Sequence, residues 1–167
     1  MHDKLTRSDI EKMQEEIDHR KLVVRKEAIE AVKEARAQGD LSENFEYYAA
    51  KREKNQNESR IRYLERMIKT AIVVEDTSAE DEVGLNKRVT ILAEGEDETE
   101  EYKIVTTVRG NSLNGLITAE SPLGAALMGH KVGDVVYVKV NDRAGYQVEI
   151  KAIENTGEEE TDTLRKF

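Results

Sequence analysis

A chain of 167 residues with no cysteine and a formal net charge of −9 spans one medium domain or two small ones, and it excludes disulfide frameworks, thiolate zinc sites and cysteine nucleophiles. Residues 1–75 hold 16 basic and 16 acidic side chains and the remaining 92 hold 10 and 19; a free-standing DNA binder shows a basic surplus, so any nucleic-acid contact is expected to be local and mediated by something else. The segment Met1–Arg7 has no apolar signal core and no apolar run is long enough to span a bilayer, which reads as a soluble, cytoplasmic protein without a membrane partner.

In chain order, the first element is a helix from about Ser8 to Gln38, with Thr6 or Ser8 as its cap and neither Pro nor Gly inside it. Ile10, Met13, Ile17, Val24, Ala31 and Ala35 follow the alternating three-and-four step of a coiled-coil seam, with Arg20 and Glu27 or Ala28 at the weaker steps. A short break, Gly39 to Asn44, separates it from a second helix reaching about Ile72, whose seam runs Tyr47, Ala50, Lys54, Asn57, Ile61, Leu64, Ile68, Ala71. Lys54 and Asn57 interrupt that seam, so its middle is expected to be looser than its ends. Each arm of roughly 30 residues would be about 45 Å long. Two such arms joined by a tight turn make an antiparallel helical coiled-coil hairpin, residues 1–75. A polar stretch, 76–82, reads as a linker.

After it, Lys87–Leu92, Glu101–Val108, Leu116–Ala119, Val135–Val140 and Tyr146–Ile153 carry β-branched residues in partial alternation. Ser121 can cap, Pro122 suits a first helical position and Gly129 can stop a helix. Residues 83–153 are therefore expected as a small antiparallel sheet crossed by one short helix, giving an α+β fold class, with 154–167 as an acidic, mobile tail.

The break between the arms carries the sharpest candidates. Asp40 and Glu43 can form a capping box that opens the second helix. The same spacing places two carboxylates on one face. Two hard oxygen donors bind magnesium well only beside further carboxylates or phosphates, so the pair reads as half of a metal site. Arg36, Lys51, Arg52 and Lys54 lie behind the tip, either as solvated faces or as a cationic collar that steers an RNA or DNA phosphate. Phe45 can stack on a base or pack at the turn. His2, His19 and His130 are scattered and show no zinc spacing.

The run Gly39-Asp40-Leu41-Ser42-Glu43-Asn44-Phe45-Glu46-Tyr47-Tyr48-Ala49-Ala50-Lys51 resembles the signature of the GreA/GreB transcript cleavage factors. Ser121-Pro122-Leu123-Gly124, followed by Gly129 and Val132-Gly133-Asp134-Val135-Val136, is a second match, and the resemblance covers roughly residues 5 to 153. It implies an FKBP-like C-terminal domain that docks at the rim of the secondary channel of bacterial RNA polymerase, and a coiled coil that enters the channel. It implies no enzyme in this chain: the polymerase cleaves backtracked nascent RNA, and Asp40 and Glu43 help hold a magnesium shared with it. Arg36, Lys51 and Arg52 fall at the family's RNA-contacting patch, and Ser121 and Pro122 in its polymerase-docking loop. Phe45 stands where a small residue is usual, and the tail after Ile153 is longer than expected. The intramolecular seam favours a monomer.

Three other readings compete. One is a family member that binds the channel without promoting cleavage. Another is a prolyl isomerase, for which residues 83–153 offer only Tyr102, Tyr137 and Tyr146 as pocket aromatics. The last is a coiled-coil structural adaptor whose tip acids are only caps.

Overall fold

The computed structural model describes residues 2–39, 44–158 and 162–166. The chain divides into two compact units, one holding Arg7–Ile72 and the other Lys4–Thr6 and Val73–Lys166. Residues 76–82, expected as a linker, belong to the second unit. There the carbonyls of Ala79 and Glu82 accept from the Nζ of the buried Lys87, at 2.5 and 2.8 Å.

The first unit is helical. Helix α1 spans Arg7–His19, a π-turn spans Arg20–Val24, α2 spans Arg25–Ala37 and α3 spans Phe45–Thr70. The first arm is thus one long helix interrupted by a single wide turn, in which the Arg25 N–H donates to the Arg20 carbonyl. Glu16 meets Arg60, Arg20 meets Asn57, Arg25 meets Glu58 and Arg36 meets Tyr47. From Glu16–Arg60 at one end to Arg36–Tyr47 at the other the partner number drops as the first-arm number rises, so the arms run in opposite directions.

Met13, Ile17 and Ala35 from the first arm and Asn57, Ile61 and Leu64 from the second are buried. Beyond the π-turn Ala28 and Ala35 keep expected inward places, whereas Ala31 is exposed and Val32 is half-buried. A π-turn takes one residue more per hydrogen bond than an α-turn, and after it Val32 rather than Ala31 turns inward. The middle is not loosened by its polar steps either. Asn57 is buried against Arg20, and Arg25 holds Glu58 through two bonds of 2.7 and 2.8 Å.

Two short strands, β1 (Lys4–Leu5) and β2 (Ile72–Val73), pair with each other; neither was foreseen, since two residues show no period. The second unit is built on a five-stranded sheet of β3 (Arg88–Ala93), β4 (Glu100–Val105), β5 (Leu116–Thr118), β6 (Val135–Lys139) and β7 (Gly145–Glu154), ordered β5-β4-β3-β7-β6. Helix α4 (Pro122–Leu127) packs beside β5 and β6. Val89, Ile91, Ile104, Val136, Val138, Val148 and Ile150 form the buried core with Val83 and Leu127. A register shift at Thr90/Ile91, where Thr90 faces Ala152 and Ile91 faces Ile150, leaves Lys151 as the extra residue of a bulge.

Three expectations need correction. The sheet is mixed, because β4 and β5 run parallel. Val108, expected in a strand, lies instead in a 3₁₀ turn at Thr107–Arg109, followed by another at Ser112–Asn114. These turns carry the chain around, so that β5 enters beside β4 in the same direction. The C-terminal segment is also anchored. Asp162 is buried against Lys103, and the Arg165 N–H donates to the Val108 carbonyl at 2.5 Å.

Candidate functional site

Asp40 and Glu43, expected as magnesium ligands and as the acids that assist cleavage, lie outside the described residues. The structure describes the scaffold on either side of them. Helix α2 ends at Ala37, and Gly39 has φ +134, a conformation that side chains rarely adopt. On the far side Asn44 caps α3: its Oδ1 accepts from the Tyr47 N–H at 3.0 Å. Its Nδ2 donates to the Ala35 carbonyl in the last turn of α2, at 2.5 Å. One amide therefore closes a helix start and ties it to the end of the other arm. The expected capping box with Asp40 as the cap gives way to Asn44, which serves equally well in that position.

Arg36, Lys51 and Arg52 are exposed on the arms next to this turn. Arg36 lies over the Tyr47 ring, 5.6 Å from its centroid, and its Nη2 donates to the phenol oxygen at 3.4 Å. That bond holds the Tyr47 hydroxyl below its ordinary pKa of 10.0, against the opposing pull of burial, and the charges of Lys51, Arg36 and Lys54 add to it. Cations from both arms thus act on one point behind the tip. The Tyr47 and Tyr48 rings meet edge to face at 5.5 Å. Phe45 is 83% exposed, so it does not pack at the turn. An exposed ring beside clustered cations can stack a base while the cations meet its phosphates.

In the second unit Ser121 Oγ accepts from the Gly124 N–H at 3.1 Å and donates to the Thr118 carbonyl at 2.7 Å, with exposed Pro122 at the first helical position. A Cβ on Gly124 would stand 2.0 Å from the Thr118 carbonyl oxygen, so this turn has room only for glycine. Ser121 and Pro122 are fixed together at one corner by α4, well separated in sequence from the helical tip.

The three tyrosines offered as pocket aromatics do not share one face. Tyr137 faces Gln147 and Tyr146 faces Val138 across the β6–β7 ladder, so the two tyrosines lie on opposite faces of the sheet. The Tyr102 hydroxyl donates to Glu100 at 2.6 Å. Among the described residues no group of three or more His, Asp or Glu side chains could hold a metal ion, and no helix is long and apolar enough to cross a membrane.

Two family models match consecutive parts of the chain, one described as "Transcription elongation factor, N-terminal" over residues 4–73 and one as "Transcription elongation factor, GreA/GreB, C-term" over residues 78–155. The chain belongs to the GreA/GreB family of transcription elongation factors. "Transcription elongation factor GreA" of Lactococcus lactis subsp. cremoris (strain MG1363) is 44% identical over 135 residues, 80% of this chain and 86% of that protein. The protein of the same name from Streptococcus gordonii (strain Challis) is 43% identical over 153 residues, 91% of this chain and 95% of that one. A solved structure, "Structure of the transcription factor Gfh1", is 28% identical, with 92% of this chain and 97% of that chain covered and a TM-score of 0.45. In this GreA/GreB family member the matched region stops at residue 155, so Asp162 and the segment that follows it lie beyond the family's pattern.

Sequence reasoning missed Asn44 as the cap because two acids nearby competed for that role. It also missed the polar set Glu16, Arg20, Asn57 and Arg60 inside the helical unit. Polar residues at seam steps were the available signal, and they read as interruptions.

Proposed function

We propose that this elongation factor acts inside bacterial RNA polymerase. Its two arms form a coiled-coil hairpin that enters the secondary channel and brings Asp40 and Glu43 to the catalytic centre of a backtracked complex. The second unit, FKBP-like in fold, docks at the channel rim through Ser121 and Pro122. The protein is not itself an enzyme; it stimulates the polymerase to cleave its own nascent RNA, which rescues arrested complexes.

Membership of the GreA/GreB family over both units carries this reading. The signature from Gly39 to Lys51 runs from the break between the two oppositely directed arms into the first turns of α3. Two carboxylates are a fitting donor set for a hard divalent ion completed by polymerase carboxylates and an RNA phosphate. A second magnesium there would stabilise charge on the attacking and leaving oxygens. The role of Asp40 and Glu43 is to supply negatively charged oxygens and to orient water. Arg36, Lys51 and Arg52 hold the RNA phosphates near the turn, and exposed Phe45 offers a stacking face.

The test is Asp40→Asn and Glu43→Gln, singly and together, in stalled elongation complexes. Cleavage of the nascent RNA should be lost while binding to polymerase persists. Full cleavage by the double variant would overturn the reading. Asp40→Asn is the most informative change because it removes charge from a position that Asn44 already relieves of capping duty.

A further inference from the structure

Lys103 is 0% exposed and Asp162 1%, and the Lys103 ammonium pairs with Asp162 Oδ2. Arg109, also buried, donates from Nη1 to the Asp162 backbone carbonyl at 2.5 Å and reaches Glu158 Oε1 with Nη2 at 2.5 Å. Three residues on, the Arg165 N–H donates to the Val108 carbonyl. Two buried cations and one carbonyl of the second unit therefore read an extended peptide. Lys103 reads a side-chain carboxylate, Arg109 the same residue's backbone oxygen, and Val108 a later backbone N–H. The segment Thr163–Lys166 forms one wall of a cavity of about 550 Å³ whose other walls include Arg109, Asn111, Leu113 and Leu116.

We propose that Lys103, Arg109 and the Val108 carbonyl form a peptide-binding site. Asp162–Lys166 is its tethered ligand, and the site accepts an aspartate-bearing extended segment of another protein in its place. Exchange is supported by the absence of regular secondary structure over Asp162–Lys166 and by the energetics of the pair. A buried ion pair gains little net free energy after desolvation, whereas one left without its partner is strongly unfavourable. The occupant can thus leave easily only when another carboxylate replaces it. Backbone recognition by Arg109 and Val108 selects a peptide over a free anion.

The test uses the full chain and a fluorescent peptide copying residues 161–167. A tethered ligand competes at an effective concentration on the order of millimolar. The peptide should therefore bind the Asp162→Asn chain at least about tenfold more tightly than the wild type, and a peptide carrying Asn at that position should bind neither. In the wild type, amide exchange at Arg165 should be slow and should become fast at saturating peptide while Val148 and Ile150 stay protected. Equal binding to both chains, or binding to neither, would overturn the proposal. If Asp162→Asn unfolds the sheet, the wild-type exchange measurement decides alone: an Arg165 amide that stays protected at 10-fold excess over the millimolar range would refute it.

Discussion

Asn57 and Arg20 hold each other twice across the helical unit. Arg20 Nη1 donates to Asn57 Oδ1 at 3.0 Å, and Asn57 Nδ2 donates to the Arg20 carbonyl at 3.3 Å. That carbonyl also accepts the Arg25 N–H of the π-turn. The wide turn and the buried amide are therefore one arrangement: the second arm satisfies an oxygen where the first arm departs from α-helical geometry.

Replacing Asn57 with Ala removes both bonds and leaves a buried gap. The helical unit should lose about 1–2 kcal/mol, measured by urea unfolding followed by circular dichroism. Unchanged stability would mean that Asn57 is incidental to the turn.

Acid should weaken the same region through Glu16. Burial pushes its carboxyl up, but hydrogen bonds from Arg60 and Arg20, together with their charges, outweigh burial and hold it below the ordinary 4.5. A depressed folded-state pKa stabilises the fold above the unfolded value, and that stability is lost as pH falls through the folded value. Unfolding midpoints of the wild type should therefore drop between about pH 5 and pH 2. Glu16→Gln should flatten part of that dependence and cost about 2–3 kcal/mol near neutrality, because Arg60 is buried. Parallel pH profiles for the two proteins would contradict this.

Two tyrosines should report their neighbours in an ultraviolet pH titration. The Tyr102 hydroxyl donates to Glu100, whose charge, with burial, pushes it up to about 12. Glu100→Gln should bring that step down. Arg36→Gln should move Tyr47 up toward 10.0, since the guanidinium is the main cause of its lowering. A Tyr47 step unmoved by Arg36→Gln would show that the cations behind the tip do not share a field.

Ser121 separates capping from docking. Ser121→Ala should cost about 1 kcal/mol through the lost cap, and Ser121→Asn should restore most of it. If the residue also meets the polymerase, Ser121→Asn should fold like the wild type yet bind polymerase less tightly in a pull-down titration. Gly124→Ala should cost about 1–3 kcal/mol, since its Cβ would collide with the Thr118 carbonyl. Wild-type stability there would show that the turn can shift.

Much was readable from local pattern. Freedom from Gly and Pro marked both arms, β-branched alternation marked all five strands of the sheet, and Ser121-Pro122 marked the start of α4 with Ser121 as its cap. The tip signature and the basic residues Arg36 and Lys51 were visible as residue types. Their shared action on Tyr47 was not, because it depends on two arms meeting.

The long helices and the five strands of the larger sheet were determined by the sequence alone because they rest on periods of a few residues. Tertiary structure decided the rest: the parallel run of β4 beside β5, the slip of the inward face from Ala31 to Val32, the buried Lys87, and the docking of Asp162 on Lys103. In each of these a residue's environment is set by groups beyond the reach of a helical or strand period. A buried charge or a polar seam position finds its favourable state only when the partner arrives, and no local pattern names that partner.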